Sequence, residues 1–195
     1  MSPPDPYICS ACLAAAFVSA GIVQSAWLYS RAAVRFGRPI DGGRTFRGKR
    51  LLGDNKTWRG FVVMVPATGL AFLALGLLRI AVPQPFERGL WPVPLWQYAL
   101  IGCWAGFAFM LAEFPNSFLK RQLDVAPGQT PNQRWAAAVC FVLDQTDSVL
   151  GALIAISLFV PVPLPAWVLL LVLGAGLHWL FNLVLFLVGA KTRPA

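Results

Sequence analysis

Five times along its length this chain passes through about twenty consecutive residues that carry almost no charge. The runs cover roughly residues 7–28, 61–82, 95–114, 136–160 and 166–189. Each is close to the ~20 residues a helix needs to cross the hydrocarbon core of a bilayer. They are continuous rather than alternating with a period of two, so they predict helices and not barrel strands. The expectation is an all-α integral membrane protein: one membrane domain over 1–195, five transmembrane helices, and functional loops at 29–60 and 115–135. Charged residues make up 12% of the chain, against about 25% in an ordinary soluble domain. The first run is not expected to be a cleaved signal peptide, because "MSPPDPY" precedes it without a cation and the cations follow it.

Charge sets the expected topology. Of the 16 lysines and arginines, all but Arg79 and Arg88 fall in 30–60, in the connection between the third and fourth runs (Lys120, Arg121 and Arg134), or in the tail at Lys191 and Arg193. The positive-inside rule then puts the N-terminus outside, the C-terminus in the cytoplasm and both polar loops on the cytoplasmic face of the cell membrane. On that side the sequon Asn55-Lys56-Thr57 is a coincidence.

The other connections carry little chemistry. "VPQPFERGLWPVPLW" reads as a Pro- and aromatic-rich outer loop whose Trp91 and Trp96 suit the interfacial belt, and "VPVPLP" as a tight turn. Cys9 and Cys12 have a redox spacing but lie in an apolar helix, where small packing residues are the simpler reading. Cys103 and Cys140 stand alone.

The first polar loop, "GRPIDGGRTFRGKRLLGDNKTWRG", combines turn-forming glycines with cations that suit phosphates. It is not a P-loop, since Asp54-Asn55 separates Gly53 from Lys56-Thr57 and no strand precedes it. Thr57 is placed to cap the second helix, whose free N–H groups would lie beside Lys56 and Arg59 as an anion site. Gly53, Asp54, Asn55, Lys56 and Thr57 are therefore the candidate binding cluster. Arg31, Arg35 and Arg38 read as headgroup anchors.

The second polar region runs "AEFPNSFLKRQLDVAPGQ" and leads to "FVLDQTDSVLGAL". Asp144 and Asp147 are three apart on a helix and so face the same way, ~13–18 Å from its start. Two uncompensated carboxylates there are costly. They call for a divalent metal, to which phosphate oxygens would add ligands, or for pairing with Lys120 or Arg121. Lys120-Arg121 would reach phosphate or anchor the third span. Glu113 would supply another metal ligand or partner one of those cations. His178 and Asn182, i and i+4 on the fifth span, read as an interhelical hydrogen-bonding pair. Gly102-x-x-x-Gly106 would pack two helices closely, within the chain or across a homodimer.

"PIDGGRTFRGKRLLGDNKTWRGF", "SFLKRQLDVAPGQ" and "LDQTDSVLGAL" together resemble the CDP-archaeol synthases, membrane CTP-dependent cytidylyltransferases of ether-lipid synthesis. The Ser-x-x-Lys-Arg and Asp-x-x-Asp elements are more distantly similar to bacterial CDP-diacylglycerol synthase. The resemblance implies CTP, Mg²⁺ and a membrane lipid phosphate, with a CDP-activated lipid and pyrophosphate as products and no nucleic-acid partner. It implies catalytic roles for Lys120, Arg121, Asp144 and Asp147, CTP contacts from Gly53 to Thr57, and metal ligation by Asp144 and Asp147 with Glu113 as a candidate third ligand. Two other readings are a CTP-dependent polyprenol kinase, which would move the γ-phosphoryl group, and a small cation transporter. A transporter would more often show internal repeats, and none is visible.

Overall fold

A computed structural model describes residues 2–127, 129, 131 and 133–187, with the side chains of 178, 181, 182 and 185 left aside. The readings of His178, Asn182, Lys191 and Arg193 therefore fall outside the described residues.

Helix α1 spans Pro6–Leu28 and starts where the local chemistry says it should. The Asp5 carboxylate accepts the N–H groups of Tyr7 and Ile8, both at 3.0 Å, and Pro6 occupies the first turn, where no N–H is needed. A 3-10 turn, Arg31–Phe36, and a two-stranded hairpin follow, with β1 (Thr45–Phe46) antiparallel to β2 (Lys49–Arg50). The remaining helices are α2 (Trp58–Ala81), α3 (Pro83–Gly89), α4 (Leu95–Leu111), α5 (Glu113–Gln122), α6 (Arg134–Ser157) and α7 (Leu164–Leu187). Helices α1, α2, α4, α6 and α7 pack in that order around a closed ring, since α7 returns to α1. Leu13, Phe72, Tyr98, Ile101, Leu153 and Ile156 fill its centre.

The molecule is an all-α, multi-pass membrane protein. Four described helical stretches are long and apolar enough to cross a bilayer: Pro6–Leu28, Trp58–Ala81, Leu95–Gln122 and Arg134–Ser157. In α7 the apolar stretch identified covers Leu164–Leu177.

Three expectations change. The region expected to be loop from 115 begins as helix: after a short break at Ala112, α5 runs to Gln122. Loss of hydrophobicity ends the apolar run there but not the helix, because Glu113, Asn116 and Lys120 share one face and that face has a partner in α6. Residues 83–89, expected to be loop, form the short helix α3. Trp91, expected at the interface, is 1% exposed and donates its indole N–H to the Pro161 carbonyl at 2.8 Å, whereas Trp96 is 61% exposed. The buried indole ties together the two proline-containing connections at the end of the bundle away from the hairpin.

The glycine spacing is used within the chain. A side chain at Gly102 would meet the Thr68 carbonyl at 2.6 Å, and one at Gly106 the Met64 carbonyl at 2.8 Å. These glycines let α4 lie directly against α2.

Candidate active site

At the charged end of the ring, the first loop, α5 and the middle of α6 meet. The loop is shaped by one carboxylate. Asp41 is buried and accepts the N–H groups of Gly43 (3.0 Å), Leu52 (3.0 Å) and Gly53 (3.2 Å), together with Arg50 Nη2 (2.9 Å) and Nε (3.4 Å). Burial alone would raise its pKa, but the Arg50 guanidinium and the three amides outweigh it and hold the carboxyl well below the usual carboxylate range. The loop closes on itself through Ile40 N–H to the Lys56 carbonyl, 2.8 Å, and Trp58 N–H to the Arg38 carbonyl, 3.3 Å. The sequence does not single out Asp41. The available signal is an acidic residue beside a Gly-Gly turn in a segment otherwise rich in cations.

The hairpin is fastened to the end of α5. Lys49 Nζ donates to the Gln122 carbonyl (2.7 Å) and to Asp124 Oδ2 (2.6 Å), and Gln122 Nε2 donates to the Arg50 carbonyl (3.4 Å). This brings Gly53 over Arg121. A Cβ built on Gly53 would lie 3.1 Å from Arg121 Nη1 and 3.4 Å from Pro127 Cγ, and φ at Gly53 is +98°. Only glycine suits that backbone at that distance.

Of the five residues in the expected binding cluster, Gly53 lies against Arg121 with Asn55 beside it, and Lys56 reaches Glu113. Asp54 points outward to Arg50 Nη1, 2.9 Å away, and is largely exposed. Thr57 is buried at the N-cap position of α2, but its hydroxyl caps no helix N–H; it accepts instead from Arg59 Nε at 3.3 Å. The expected threonine cap is thus absent: Thr57 has the extended backbone of an N-cap residue and bridges to Pro39, but its hydroxyl is turned to Arg59.

Lys56 pairs with Glu113, the first residue of α5. The sequence left Glu113 between ligand and ion-pair partner, and its observed cation comes from the first loop rather than from Lys120 or Arg121. The Ser148 hydroxyl donates to Glu113 Oε1 at 3.2 Å and lies 3.3 Å from Asp147 Oδ1, which also accepts the Ser148 N–H at 2.7 Å. Asp144 is bound from α5 by Lys120 Nζ and by Asn116 Nδ2, the latter at 2.7 Å. Lysine pairing, one of the two readings of Asp144, is therefore present. Asp147 has no ion-pair partner among the described residues.

Two groups in this cluster are incomplete. Arg121 Nε and Nη1 are buried without acceptors, and Asn116 Oδ1 is buried without a donor. A buried donor without a partner costs about 1–3 kcal/mol, more for a charged group. Unpartnered guanidinium donors suit an anion, and an unpartnered amide oxygen suits a cation. Among the described residues no three His, Cys, Asp or Glu side chains converge as a ready-made metal cage. Two acidic oxygen donors and the Asn116 amide oxygen still suit a hard divalent ion that takes its remaining ligands from phosphate.

A model of the family described as CarS-like: CDP-archaeol synthase matches residues 21–194. The chain belongs to the CDP-archaeol synthase family. The CDP-archaeol synthase of Halobacterium salinarum is 40% identical over 164 residues, covering 81% of this chain and 83% of that protein. The CDP-archaeol synthase of Methanopyrus kandleri is 33% identical over 177 residues, covering 88% and 89%. A solved structure of an intramembrane enzyme for archaeal membrane lipids biosynthesis has the same fold, at a TM-score of 0.58 and 23% identity, over 87% of this chain and 92% of that one.

Proposed function

We propose that this chain transfers CMP from CTP to an archaeal-type ether-lipid phosphate, giving a CDP-activated lipid and pyrophosphate. Family membership supports the reaction class. The observation that carries the site assignment is the meeting of Lys56, Lys120 and unpartnered Arg121 donors with Glu113, Asp144 and Asp147 at one end of a membrane bundle.

The lipid phosphate has a second pKa of about 6 and is mostly dianionic at neutral pH, so it attacks without a general base. One of its oxygens bonds to the α-phosphorus of CTP. The bond from that phosphorus to the α–β bridging oxygen breaks, and pyrophosphate leaves with the electron pair. The protein's task is to bring two polyanions together. Arg121 offers its free donors to the triphosphate. Lys56 and Lys120, paired with Glu113 and Asp144, offer their ammonium groups to phosphate oxygens. Asp144, Asp147 and the Asn116 amide oxygen would hold Mg²⁺, which when bound supplies charge neutralisation at the triphosphate. Glu113 keeps Lys56 oriented until nucleotide arrives.

The same reading places five spans in the bilayer, with α7 as the fifth, the N-terminus outside and the site facing the cytoplasm. That position lets CTP enter from water and the lipid phosphate from the headgroup layer. Purified protein incubated with α-labelled CTP, Mg²⁺ and a panel of ether- and ester-linked lipid phosphates should yield CDP-lipid and pyrophosphate. In a parallel reaction with γ-labelled CTP, transfer of label to the lipid with release of CDP would replace this reading with a lipid kinase.

A further inference from the structure

The reaction above assigns no part to Asp41, yet no other side chain in the first loop accepts so many hydrogen bonds. We propose that Asp41 is a positioning residue for the triphosphate, setting the Leu52–Gly53 backbone against Arg121 so that the Arg121 donors stay aimed at the anion. This rests on the reading of Gly53–Thr57 and Arg121 as the nucleotide site. It differs from that reading in placing the control of the site in a residue that touches neither substrate.

The geometry runs in one line. Asp41 Oδ2 takes the N–H groups of Leu52 and Gly53 at 3.0 and 3.2 Å, which fixes the peptide plane immediately before Gly53. Gly53 then adopts φ +98°, and its α-carbon lies so close that an added Cβ would be 3.1 Å from Arg121 Nη1. Arg50 takes the other side of the carboxylate at 2.9 Å and, through its carbonyl and the neighbouring Lys49, is tied to Gln122, the residue after Arg121. Asp41 therefore joins the loop that carries Lys56 to the helix that carries Lys120 and Arg121.

An amide cannot replace the carboxylate. An asparagine in its place would offer one acceptor oxygen and one NH₂ group to a shell made only of donors, three backbone N–H groups and a guanidinium. At least one amide would lose its partner, and the peptide before Gly53 would be free to turn.

The test is Asp41→Asn, with Arg44→Ala on the same hairpin as a control and Arg50→Lys as a second variant that leaves the Leu52 and Gly53 bonds in place. The readouts are KM for each substrate, kcat, and direct binding of inorganic tripolyphosphate by calorimetry. Asp41→Asn should raise KM for CTP about tenfold or more and weaken tripolyphosphate binding to match. KM for the lipid phosphate should stay within about twofold and kcat within about threefold, estimates that assume only the nucleotide-binding step is altered. Arg50→Lys should raise KM for CTP by less than Asp41→Asn, and Arg44→Ala should change nothing.

Because Asp41 acts through Arg121, Asp41→Asn and Arg121→Ala should be non-additive: the double variant should bind tripolyphosphate about as weakly as Arg121→Ala alone. Additive losses, an unchanged KM for CTP, or a parallel fall in yield and in affinity for both substrates would overturn the proposal. If the wild type bound tripolyphosphate in an Asp41-dependent way but transferred no CMP, the proposed reaction would fail and the positioning role would stand.

Discussion

Lys120 and Asp147 differ in how the fold compensates their charge. Lys120 is committed to Asp144, whereas Asp147 accepts the Ser148 N–H and has no ion-pair partner among the described residues. Asp147→Asn should therefore leave the thermal midpoint in detergent unchanged or slightly raised, while turnover falls by about two orders of magnitude or more, as expected for loss of several kcal/mol of charge stabilisation. Near-normal turnover would remove Asp147 from the metal assignment. Arg121→Lys should recover only part of the activity lost in Arg121→Ala, because an ammonium cannot reproduce a two-point phosphate contact. Full recovery in a side-by-side turnover assay would mean that only the charge matters. Asp41 gives a pH prediction. Its folded-state pKa lies below the unfolded value of about 3.9, so its stabilising effect is fully present above that value and is lost as pH falls through the folded one. Protection of the first loop from limited proteolysis should accordingly stay flat from about pH 8 to pH 5 and fail only in stronger acid. Loss of protection near pH 6 would point to another group.

At the scale of elements, the α2–α4 seam and the hairpin-to-α5 clamp decide the shape of the site. The seam depends on backbone approach at Gly102 and Gly106, where any side chain would strike a carbonyl of α2. Gly102→Ala and Gly106→Ala should each cost about 1–3 kcal/mol, the usual range for overpacking a tight contact. Gly21→Ala on α1, with nothing within 4 Å of the added carbon, should cost nothing. Thermal unfolding in one detergent would measure all three. If the Gly102 and Gly106 variants changed oligomeric state without changing stability, the seam would belong between chains. The clamp was harder to anticipate, since Lys49, Gln122 and Asp124 are far apart in sequence and each alone resembles a solvated surface residue.

On the scale of the whole molecule, the orientation of the bundle is the open physical variable, and labelling would decide it. In a variant with all four cysteines replaced, Glu87→Cys should react with an impermeant thiol reagent added to intact cells. Asp54→Cys should react only in inverted vesicles. Both positions are exposed, so access to each depends on the side of the membrane. The reverse pattern would invert the topology. The multi-pass helical class, the polar end and most of the candidate residues were legible in the chain because burial in a bilayer is a nearly additive, local property: twenty apolar residues in a row have few other destinations. Asp144, Asp147, Lys120 and Arg121 stood out for the same reason, as charges where charge is costly. What the apolar pattern left undecided, tertiary structure settled by proximity. It gave Glu113 to Lys56, turned Asp54 away, buried Trp91 beneath Pro161, packed Gly102 and Gly106 against α2, and made Asp41 the anchor of the first loop. Each of these depends on which distant segment supplies a donor, a carbonyl or an empty space within about 3 Å, and hydrogen bonding at that range leaves no periodic trace along the chain.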